Sequence, residues 1–364
     1  MAKIATHLDR SRWIPHVATY SAAGMRYDEL VAAGIPVLHI PVSTLRSRGA
    51  LHEAFRMRRY IQEHGIRLVH AWDNSAAFTA PVARACRVPV VLSSQLSYRS
   101  LASQRSRNLT RITDRLVDGI VVNCEAMRRH LVEDVDYPAD RIRLCYNGVD
   151  TSVFYPLEEP KPEAVRDAPL VIGALCVLRP EKALDLLQEG FARVRHLKPG
   201  IKLMIVGGGP ELPRLEAHGR RLGIEDSTVF IPTTKDVPRY LRAMDIFVLS
   251  SKSESFSNAL LEAMACGCCP AATRVGGTPE MLGENERGLL FQSGDANGLA
   301  EALATLISNE SLRHSLAAKA AEFARNSLSI EMAAACIAGI YEAQLTAKAW
   351  RRPACRPAIS QDEA

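Results

Sequence analysis

The chain has 364 residues, which is long enough for two domains with separate hydrophobic cores. Hydrophobic residues make up 47% of it and charged residues 23%, as in ordinary globular proteins, and the apolar runs are interrupted too soon to cross a bilayer. The net charge of +5 permits anionic partners, but with so few aromatic residues it does not indicate nucleic-acid binding.

The first half of the chain alternates short apolar runs with helical periodicity. The runs predict strands at residues 15–20, 36–40, 67–71, 89–93, 119–123 and 141–145, with helices such as 51–64 and 75–86 between them. This β-α-β rhythm is typical of a parallel, doubly wound sheet with right-handed crossovers.

The second half repeats the rhythm. It predicts strands at residues 170–177, 202–206, 228–231, 246–249 and 270–273, and therefore a second parallel sheet. Residues 150–169 between the halves are acidic, carry four prolines and lack periodicity, which indicates a linker. We place a first domain at 1–155, the linker at 156–168, a second domain at 169–329, an apolar-striped helix at 330–350 and a disordered polar tail at 351–364.

Residues 254–267 carry two glutamates, Glu254 and Glu262, across a loop-to-helix junction. Ser257 or Asn258 suits the N-cap, the following residues favour helix, and Gly267 suits the helix end. Glu254 then lies in the loop and Glu262 one turn into the helix.

The helix start at this junction predicts a phosphate site. The amides of Phe256, Ser257 and Asn258 would offer partial positive charge to a phosphate, because the first N–H groups of a helix have no partner within it. The flanking carboxylates accept hydrogen bonds from sugar hydroxyls. A nucleotide-sugar needs both kinds of contact.

The spacing Glu-x7-Glu, followed by Ala-Met-Ala-x-Gly, resembles the signature of retaining glycosyltransferase family 4. The resemblance continues in Thr273-Arg-Val-Gly-Gly-Thr-Pro-Glu280 and in Asn147-Gly-Val-Asp150 with Phe154-Tyr-Pro156, and it extends from about Leu8 to Leu345. It implies an α/β GT-B fold, with two Rossmann-like, parallel-sheet domains facing a cleft. The first would bind the acceptor, the second the nucleotide-sugar, and the last helix would cross back to the first domain.

The resemblance assigns Arg179 and Lys182, which follow a buried strand and open a helix, to the donor diphosphate. Fixed cations there would stabilise the charge that develops on the departing nucleotide. Two solvated cations are the alternative, which the positive end of the helix disfavours. Gly207 and Gly208 end the next strand and would let a ligand approach the backbone, although tight turns use glycine anyway.

The resemblance assigns Glu262 to the ribose hydroxyls and Glu254 to the donor sugar, where it would stabilise positive charge at the anomeric carbon. A salt bridge on the helix surface is the alternative for this pair. Glu280 is interpreted mainly as structural, with a contact to the base or sugar as the alternative. We thus expect Glu254, Arg179 and Lys182 to be catalytic, and we expect the donor to contact Glu262, Gly207, Gly208, Phe256, Ser257 and Asn258.

The acceptor side is less well marked. Gln95 stands where many family members have a histidine, which excludes proton abstraction by a histidine there. His70 lies at the end of the strand at 67–71 and Asp73 follows it, on the side where doubly wound sheets bind ligands. A histidine that is merely satisfied at a strand end is the alternative reading of His70.

Arg107, Arg111 and Arg115 recur every four residues and would form a basic stripe on one helix. Anionic lipid headgroups or a lipid-phosphate acceptor would fit such a stripe, and a merely solvated helix face is the alternative.

The beginning of the chain departs from the resemblance. Family members begin with a strand and a glycine-rich turn before the first helix, whereas Leu8-Asp-Arg-Ser-Arg-Trp13 already resembles the end of that helix. We therefore expect that the first strand and its turn are lacking through truncation. A divergent member that manages without the strand is the alternative.

Together these features predict a retaining hexosyltransferase-type glycosyltransferase that moves a sugar from a UDP- or GDP-sugar to a glycan, lipid-linked or small-molecule acceptor, as in cell-envelope polysaccharide synthesis. The alternative is a catalytically inactive, nucleotide-sugar-binding remnant. We expect no cofactor or metal, because the cysteine cluster at 266–269 has no histidines at ligand spacing. The nine cysteines suit a reducing cytoplasm, and the protein is expected there or at the inner face of the membrane.

Overall fold

The computed structural model of the protein describes residues 1–42 and 47–350. The chain divides into two compact units. The first holds Met1–Ser94, Ala102–Val121 and the residues from Ala335 onward, and the second holds Gln95–Leu101 and Val122–Ala334. The predicted tail at 351–364 lies outside the described residues, and the domain limits predicted from the linker stay a prediction.

The six strands and the helices 51–64 and 75–86 predicted for the first half all occur, with bounds shifted by a few residues, beside three helices for which no bounds were predicted. The elements are α1 (Ala2–His7), β1 (Val17–Thr19), α2 (Met25–Ala32), β2 (Val37–His39), α3 (Arg48–Glu63), β3 (Leu68–Trp72), α4 (Ala76–Ala85), β4 (Val90–Gln95), α5 (Gln104–Asp114) and β5 (Gly119–Val122). β5 ends at the division between the units.

The strands of the first half fall into two sheets. β1 and β2 form a two-stranded parallel sheet, whereas β3, β4 and β5 belong to a four-stranded sheet that ends with β6 (Ile142–Leu144). Among the described residues, no strand pairs with both β1 and β3, so the two sheets stay separate. β4 is buried along nearly its whole length, including the polar residues Ser93 and Ser94 that follow its apolar start.

The second unit begins its helices with α6 (Glu125–Glu133) and continues the β-α rhythm. Its further elements are β7 (Val171–Leu175), α7 (Leu184–Val194), β8 (Lys202–Val206), α8 (Leu212–Arg221), β9 (Thr228–Ile231), α9 (Val237–Arg242), β10 (Ile246–Leu249), α10 (Asn258–Ala265), β11 (Cys269–Thr273), α11 (Thr278–Leu282), β12 (Leu289–Phe291), α12 (Ala296–Ser308) and α13 (Glu310–Ser327). The last helix, α14 (Ile330–Trp350), belongs to the first unit from Ala335 onward. None of the described helices combines the length and apolar character that a bilayer span requires.

The second unit is built on a six-stranded parallel sheet of order β12-β11-β10-β7-β8-β9. Its core joins apolar residues of the strands, such as Leu203 and Ile205, to Phe191 of α7 and Leu299 and Leu303 of α12. The chain starts in the middle at β7, moves outward to β9, and returns to β10 on the other side of β7. The strand order therefore reverses between β7 and β10, which is where open α/β sheets bind ligands at their carboxyl ends.

Candidate functional site

Two charged side chains meet at the carboxyl ends of β7 and β10. Lys182 lies in the loop after β7 and Glu254 in the loop after β10. Lys182 Nζ donates to Glu254 Oε1 at 2.6 Å, and the same oxygen accepts a hydrogen bond from Ser251 Oγ at 2.8 Å. Ser250 Oγ in turn donates to the Lys182 carbonyl at 2.9 Å. The reversal of strand order thus brings together two residues that lie 72 positions apart in the chain.

The Lys182–Glu254 pair is partly shielded from water. The side chains are 23% and 13% exposed, so their attraction is screened less than that of a surface ion pair, yet a ligand can still reach them. Arg179 begins the same short turn but is 60% exposed, with its Nη1 3.8 Å from Glu181 Oε1. The structure therefore brings two of the three predicted catalytic residues into contact and leaves the third side chain in solvent.

The glycine turn after β8 packs against the loop that leads to Arg179. A Cβ on Gly207, whose φ is +138°, would lie 1.9 Å from the Cys176 carbonyl oxygen. The carbonyl of the next glycine, Gly208, accepts a hydrogen bond from the Leu178 amide at 3.0 Å. The close approach between the two loops is sufficient to explain why residue 207 is a glycine. The predicted contact of Gly207 with a donor stays a prediction.

α10 begins as the sequence predicts. Ser257 is the N-cap, and its Oγ accepts from the Leu260 amide at 3.3 Å. Within the described residues, the amides of Phe256, Ser257 and Asn258 donate no hydrogen bond to the protein, so they remain available to an anion. Glu262 follows one turn into α10 and is partly buried.

The loop before α10 contacts residues of the segment 122–147 and, at one point, Leu96. The ring of Phe256 is buried against Tyr146, with ring centroids 5.5 Å apart, so only the backbone of Phe256 can serve a ligand. Asn147 Nδ2 donates to Asn258 Oδ1 at 3.0 Å. Ser255 Oγ donates to the Leu96 carbonyl at 2.7 Å and accepts from Asn123 Nδ2 at 3.3 Å.

His70 lies in the first unit with both ring nitrogens occupied. Its Nδ1 is 2.8 Å from the Tyr341 hydroxyl, its Nε2 is 2.8 Å from Ser94 Oγ, and its ring stacks on Trp72. Burial among these groups lowers the pKa of His70 to about 3, so the ring is neutral at physiological pH. The contacts are those of a satisfied histidine, and a ligand would have to displace a hydroxyl to reach it.

The other two residues predicted for the acceptor side differ in environment. Asp73 is exposed and opens a short 3₁₀ turn with φ of +48°. Gln95 lies in the second unit, where its Oε1 accepts from Arg99 Nε at 3.1 Å and its Nε2 donates to the Ser97 carbonyl at 2.6 Å. Gln95 thus orders the loop that follows β4.

The predicted arginine stripe occurs on α5 in part. Arg107 folds back and donates to the Ala102 carbonyl at 2.6 Å and to Gln104 Oε1. Arg111 and Arg115, at the end of the helix, are exposed. Elsewhere in the described part of the chain, no group of three or more His, Cys, Asp or Glu side chains is arranged to hold a metal.

Glu280 has a role that the sequence did not reveal in detail. Its carboxylate, on α11, accepts hydrogen bonds from the amides of Glu125 and Ala126 at 2.9 Å each and from the Tyr146 hydroxyl at 3.0 Å. The structural interpretation of Glu280 agrees with these contacts. Its partners lie more than 130 positions away, and no local pattern could have identified them.

Sequence models of two families cover most of the chain. The model of glycosyl transferases group 1 matches residues 157–323, and that of glycosyltransferase family 4 matches residues 1–153. The GDP-mannose-dependent alpha-(1-6)-phosphatidylinositol monomannoside mannosyltransferase of Mycobacterium tuberculosis is 30% identical over 303 residues, which are 77% of this chain and 76% of that protein. The chain belongs to the family 4 glycosyltransferases, as the motifs predicted.

Two other relatives match over a shorter length. The N-acetyl-alpha-D-glucosaminyl L-malate synthase of Bacillus anthracis is 30% identical over 188 residues, and a D-inositol 3-phosphate glycosyltransferase of Saccharomonospora viridis is 33% identical over 222 residues. These stretches are 51% and 57% of this chain. The chain spans about half the length of these relatives, 49% and 52% respectively.

Solved structures share the fold. The crystal structure of Anabaena Alr3699/HepE in complex with UDP and glucose superposes with a TM-score of 0.81 at 21% identity, covering 94% of both chains. The lipopolysaccharide outer core galactosyltransferase WaaB in its apo form gives a TM-score of 0.71 at 19% identity, covering 93% of this chain and 94% of that one. The predicted GT-B fold is confirmed.

Proposed function

We propose that this protein is a retaining glycosyltransferase that moves a sugar from a nucleoside-diphosphate sugar to a glycan, lipid-linked or small-molecule acceptor. The observation that carries the proposal is the contact between Lys182 and Glu254 at the point where the strand order reverses. Glu254 lies three residues before Ser257, the N-cap of α10. This arrangement joins a cation, a carboxylate and unpaired helix amides at the place where such sheets bind nucleotides.

The diphosphate would bind Lys182, the amides of Phe256 to Asn258, and Arg179 once its exposed side chain turns inward. Negative charge grows on the diphosphate as the bond to the sugar breaks, so these donors stabilise the transition state more than the ground state. Arg179 suits a bidentate grip on phosphate oxygens, and Lys182 acts as a point charge. The site needs no metal for this purpose.

The sugar and ribose would bind the two glutamates. Glu262 on α10 would accept hydrogen bonds from the vicinal ribose hydroxyls. Glu254 would hold a hydroxyl of the donor sugar and stabilise the positive charge that develops at the anomeric carbon. Since Lys182 donates to Glu254 Oε1, binding of the diphosphate would draw Lys182 away and leave Glu254 to the sugar.

Transfer would proceed on one face of the sugar. The bond from the anomeric carbon to the phosphate oxygen breaks, the bond to the acceptor oxygen forms on the same face, and the acceptor proton passes to the departing phosphate. This route needs no protein base, which agrees with Gln95 at the position of the family histidine. Gln95 instead orders its own loop through Arg99 and Ser97.

The names of the relatives support a nucleotide-sugar donor and leave its base open. One relative is described as GDP-mannose-dependent, and one structural neighbour was solved with UDP and glucose. The acceptors in the relatives' names range from malate to inositol phosphate and phosphatidylinositol mannoside. We therefore assign this chain a UDP- or GDP-sugar and none of these acceptors in particular.

Calorimetric titration with UDP and with GDP tests the proposal. Wild type should bind one of the two, while Lys182→Ala and Glu262→Ala should bind it at least tenfold more weakly, about 1.4 kcal/mol or more. Lys319→Ala, which removes an exposed lysine of α13, is the control and should bind as wild type does. If neither nucleotide binds, or if all variants bind alike, the proposed function is wrong. Binding without turnover of any sugar donor would instead identify the inactive remnant.

We further propose that Arg111 and Arg115 give the protein peripheral contact with anionic membranes. Both side chains are exposed at the C-terminal end of α5, where positive charges also interact favourably with the helix dipole. Sedimentation with vesicles of phosphatidylcholine and phosphatidylserine should fall in the Arg111→Gln, Arg115→Gln double variant. The Arg325→Gln control changes an exposed arginine of α13, and an equal loss there would contradict the proposal.

A further inference from the structure

The N-terminus of α6 depends on a distant carboxylate. Its own N-cap is Cys124, whose Sγ accepts from the Met127 amide at 3.4 Å, and sulfur is a weak acceptor. Glu280 of α11 supplies the strong cap, with its two oxygens 2.9 Å from the amides of Glu125 and Ala126. A full negative charge at the positive end of a nine-residue helix is favourable.

Tyr146 adds a third donor to the Glu280 carboxylate. Its hydroxyl lies 3.0 Å from Glu280 Oε2, and burial, reinforced by the charge of Glu280, raises the pKa of Tyr146. The phenol therefore stays protonated and donates. Since the ring of Tyr146 also packs on Phe256, the Glu280 cluster reaches the loop before α10.

The start of α11 also contacts the loop before α10. The Gly277 amide donates to the Ser255 carbonyl at 2.7 Å. A Cβ on Gly276, whose φ is +52°, would lie 1.9 Å from the Glu254 carbonyl oxygen. A shift of α11 would therefore move the peptide that joins Glu254 to Ser255.

The loop before α10 thus contacts both α11 and the segment 122–147. That segment contacts the loop directly through Asn123, which reaches Ser255, and through Asn147, which reaches Asn258. These are neutral hydrogen bonds to exposed or partly buried groups. The Glu280 contacts are charge-assisted and bidentate, and such hydrogen bonds are about twice as strong as neutral ones.

We propose that Glu280 is a positioning residue: by capping α6 and binding Tyr146, it fixes α11 to the segment 122–147 and so sets the position of Glu254 against the donor sugar. The two oxygens of Glu280 accept three hydrogen bonds from the protein, and the proposal gives this residue no contact with the donor. Lys182 lies outside this loop and Asn147 holds Asn258 independently of Glu280, so removing Glu280 should disturb the geometry of the sugar more than the diphosphate contacts. A misplacement of about 1 Å at the reacting centre costs about 100-fold in rate.

The first arm of the test is hydrogen–deuterium exchange without nucleotide. In Glu280→Ala, the amides of Glu125 and Ala126 should exchange faster because their acceptor is gone. The Gly277 amide, which donates to the Ser255 carbonyl of the loop, should also exchange faster because α11 is no longer fixed. Glu286→Ala, which removes a largely exposed glutamate nearby, is the control and should leave these three amides as in wild type. Faster exchange confined to Glu125 and Ala126 would overturn the proposal, since Glu280 would then be only a helix cap.

The second arm is kinetic and rests on the proposed function. With a UDP- or GDP-sugar that wild type hydrolyses, Glu280→Ala should lower kcat at least about tenfold, while the Kd of the free nucleotide changes by less than about twofold. Tyr146→Phe removes one of the three donors and should give a smaller loss of the same kind, which keeps the test valid if Glu280→Ala fails to fold. Unchanged kcat in both variants, or nucleotide Kd rising in step with the loss of kcat, would overturn the positioning role. Failure of wild type to bind nucleotide would refute the proposed function and leave the exchange arm standing.

Discussion

The pairing of Lys182 with Glu254 makes an unusual prediction for Glu254→Gln. The variant should bind free UDP or GDP more tightly than wild type and yet turn over a sugar donor more slowly. In the proposed site the diphosphate would compete with Glu254 for the lysine, whose Nζ lies 2.6 Å from Oε1. Neutral glutamine keeps the size of the side chain and its bond from Ser251 but removes the competing charge.

The magnitude follows from the burial of the pair. Exposed ion pairs contribute about 0.2–1 kcal/mol, and removing one partner of a buried pair costs about 3–5 kcal/mol. With side chains 23% and 13% exposed, the pair lies between these cases. We expect a gain of about 1–2 kcal/mol in nucleotide binding, or about 5- to 30-fold in Kd.

Calorimetry and donor hydrolysis measure the two effects on the same preparations. The gain in affinity should shrink as salt is raised, because the pair is only partly buried. Glu284→Gln changes a glutamate that pairs with Arg274 on the surface, and it should alter neither Kd nor kcat. Nucleotide binding by folded Glu254→Gln that is equal to or weaker than that of wild type would refute the competition between carboxylate and diphosphate.

Two further predictions concern the fold around the sites. Gly276→Ala should lower the free energy of unfolding, measured by urea denaturation, by about 1–3 kcal/mol more than Gly34→Ala. Both glycines have positive φ, but only at Gly276 would an added Cβ lie 1.9 Å from a carbonyl oxygen. Equal losses in the two variants would contradict the close approach. Stability should fall as pH drops from about 6.5 toward 3, by up to about 1.4 kcal/mol per unit, because the unfolded chain protonates His70 while burial holds its folded pKa near 3. His70→Gln should lose this part of the slope and exposed His314→Gln should keep it, and the same slope in all three proteins would contradict the assignment.

Much of the second unit could be predicted from the sequence. The strands β8, β9 and β10 have the predicted bounds, since each is a short, mostly apolar run between turn residues. Ser257 was one of two predicted N-caps, because the residue types that cap helices are few. β12 was missed: it has three residues, Leu289–Phe291, and a run that short carries no periodicity.

Contacts between distant segments could not be predicted in the same way. The motifs predicted Lys182 and Glu254 in one site, but only the structure shows that they bind each other. The cap that Glu280 provides to α6 crosses 155 positions to Glu125, and a helix start with Cys124 at its N-cap gives no sign of where the stronger acceptor comes from. Periodicity predicts which residues are buried and leaves their partners open.

A crystal structure with UDP or GDP, whichever binds, tests the central claim most directly. We expect phosphate oxygens within hydrogen-bond distance of Lys182 Nζ and of the amides at the start of α10. We also expect that Glu262 binds the ribose and that Lys182 no longer contacts Glu254. A nucleotide bound away from the carboxyl ends of β7 and β10, or one whose phosphates leave the Lys182–Glu254 pair intact, would contradict it.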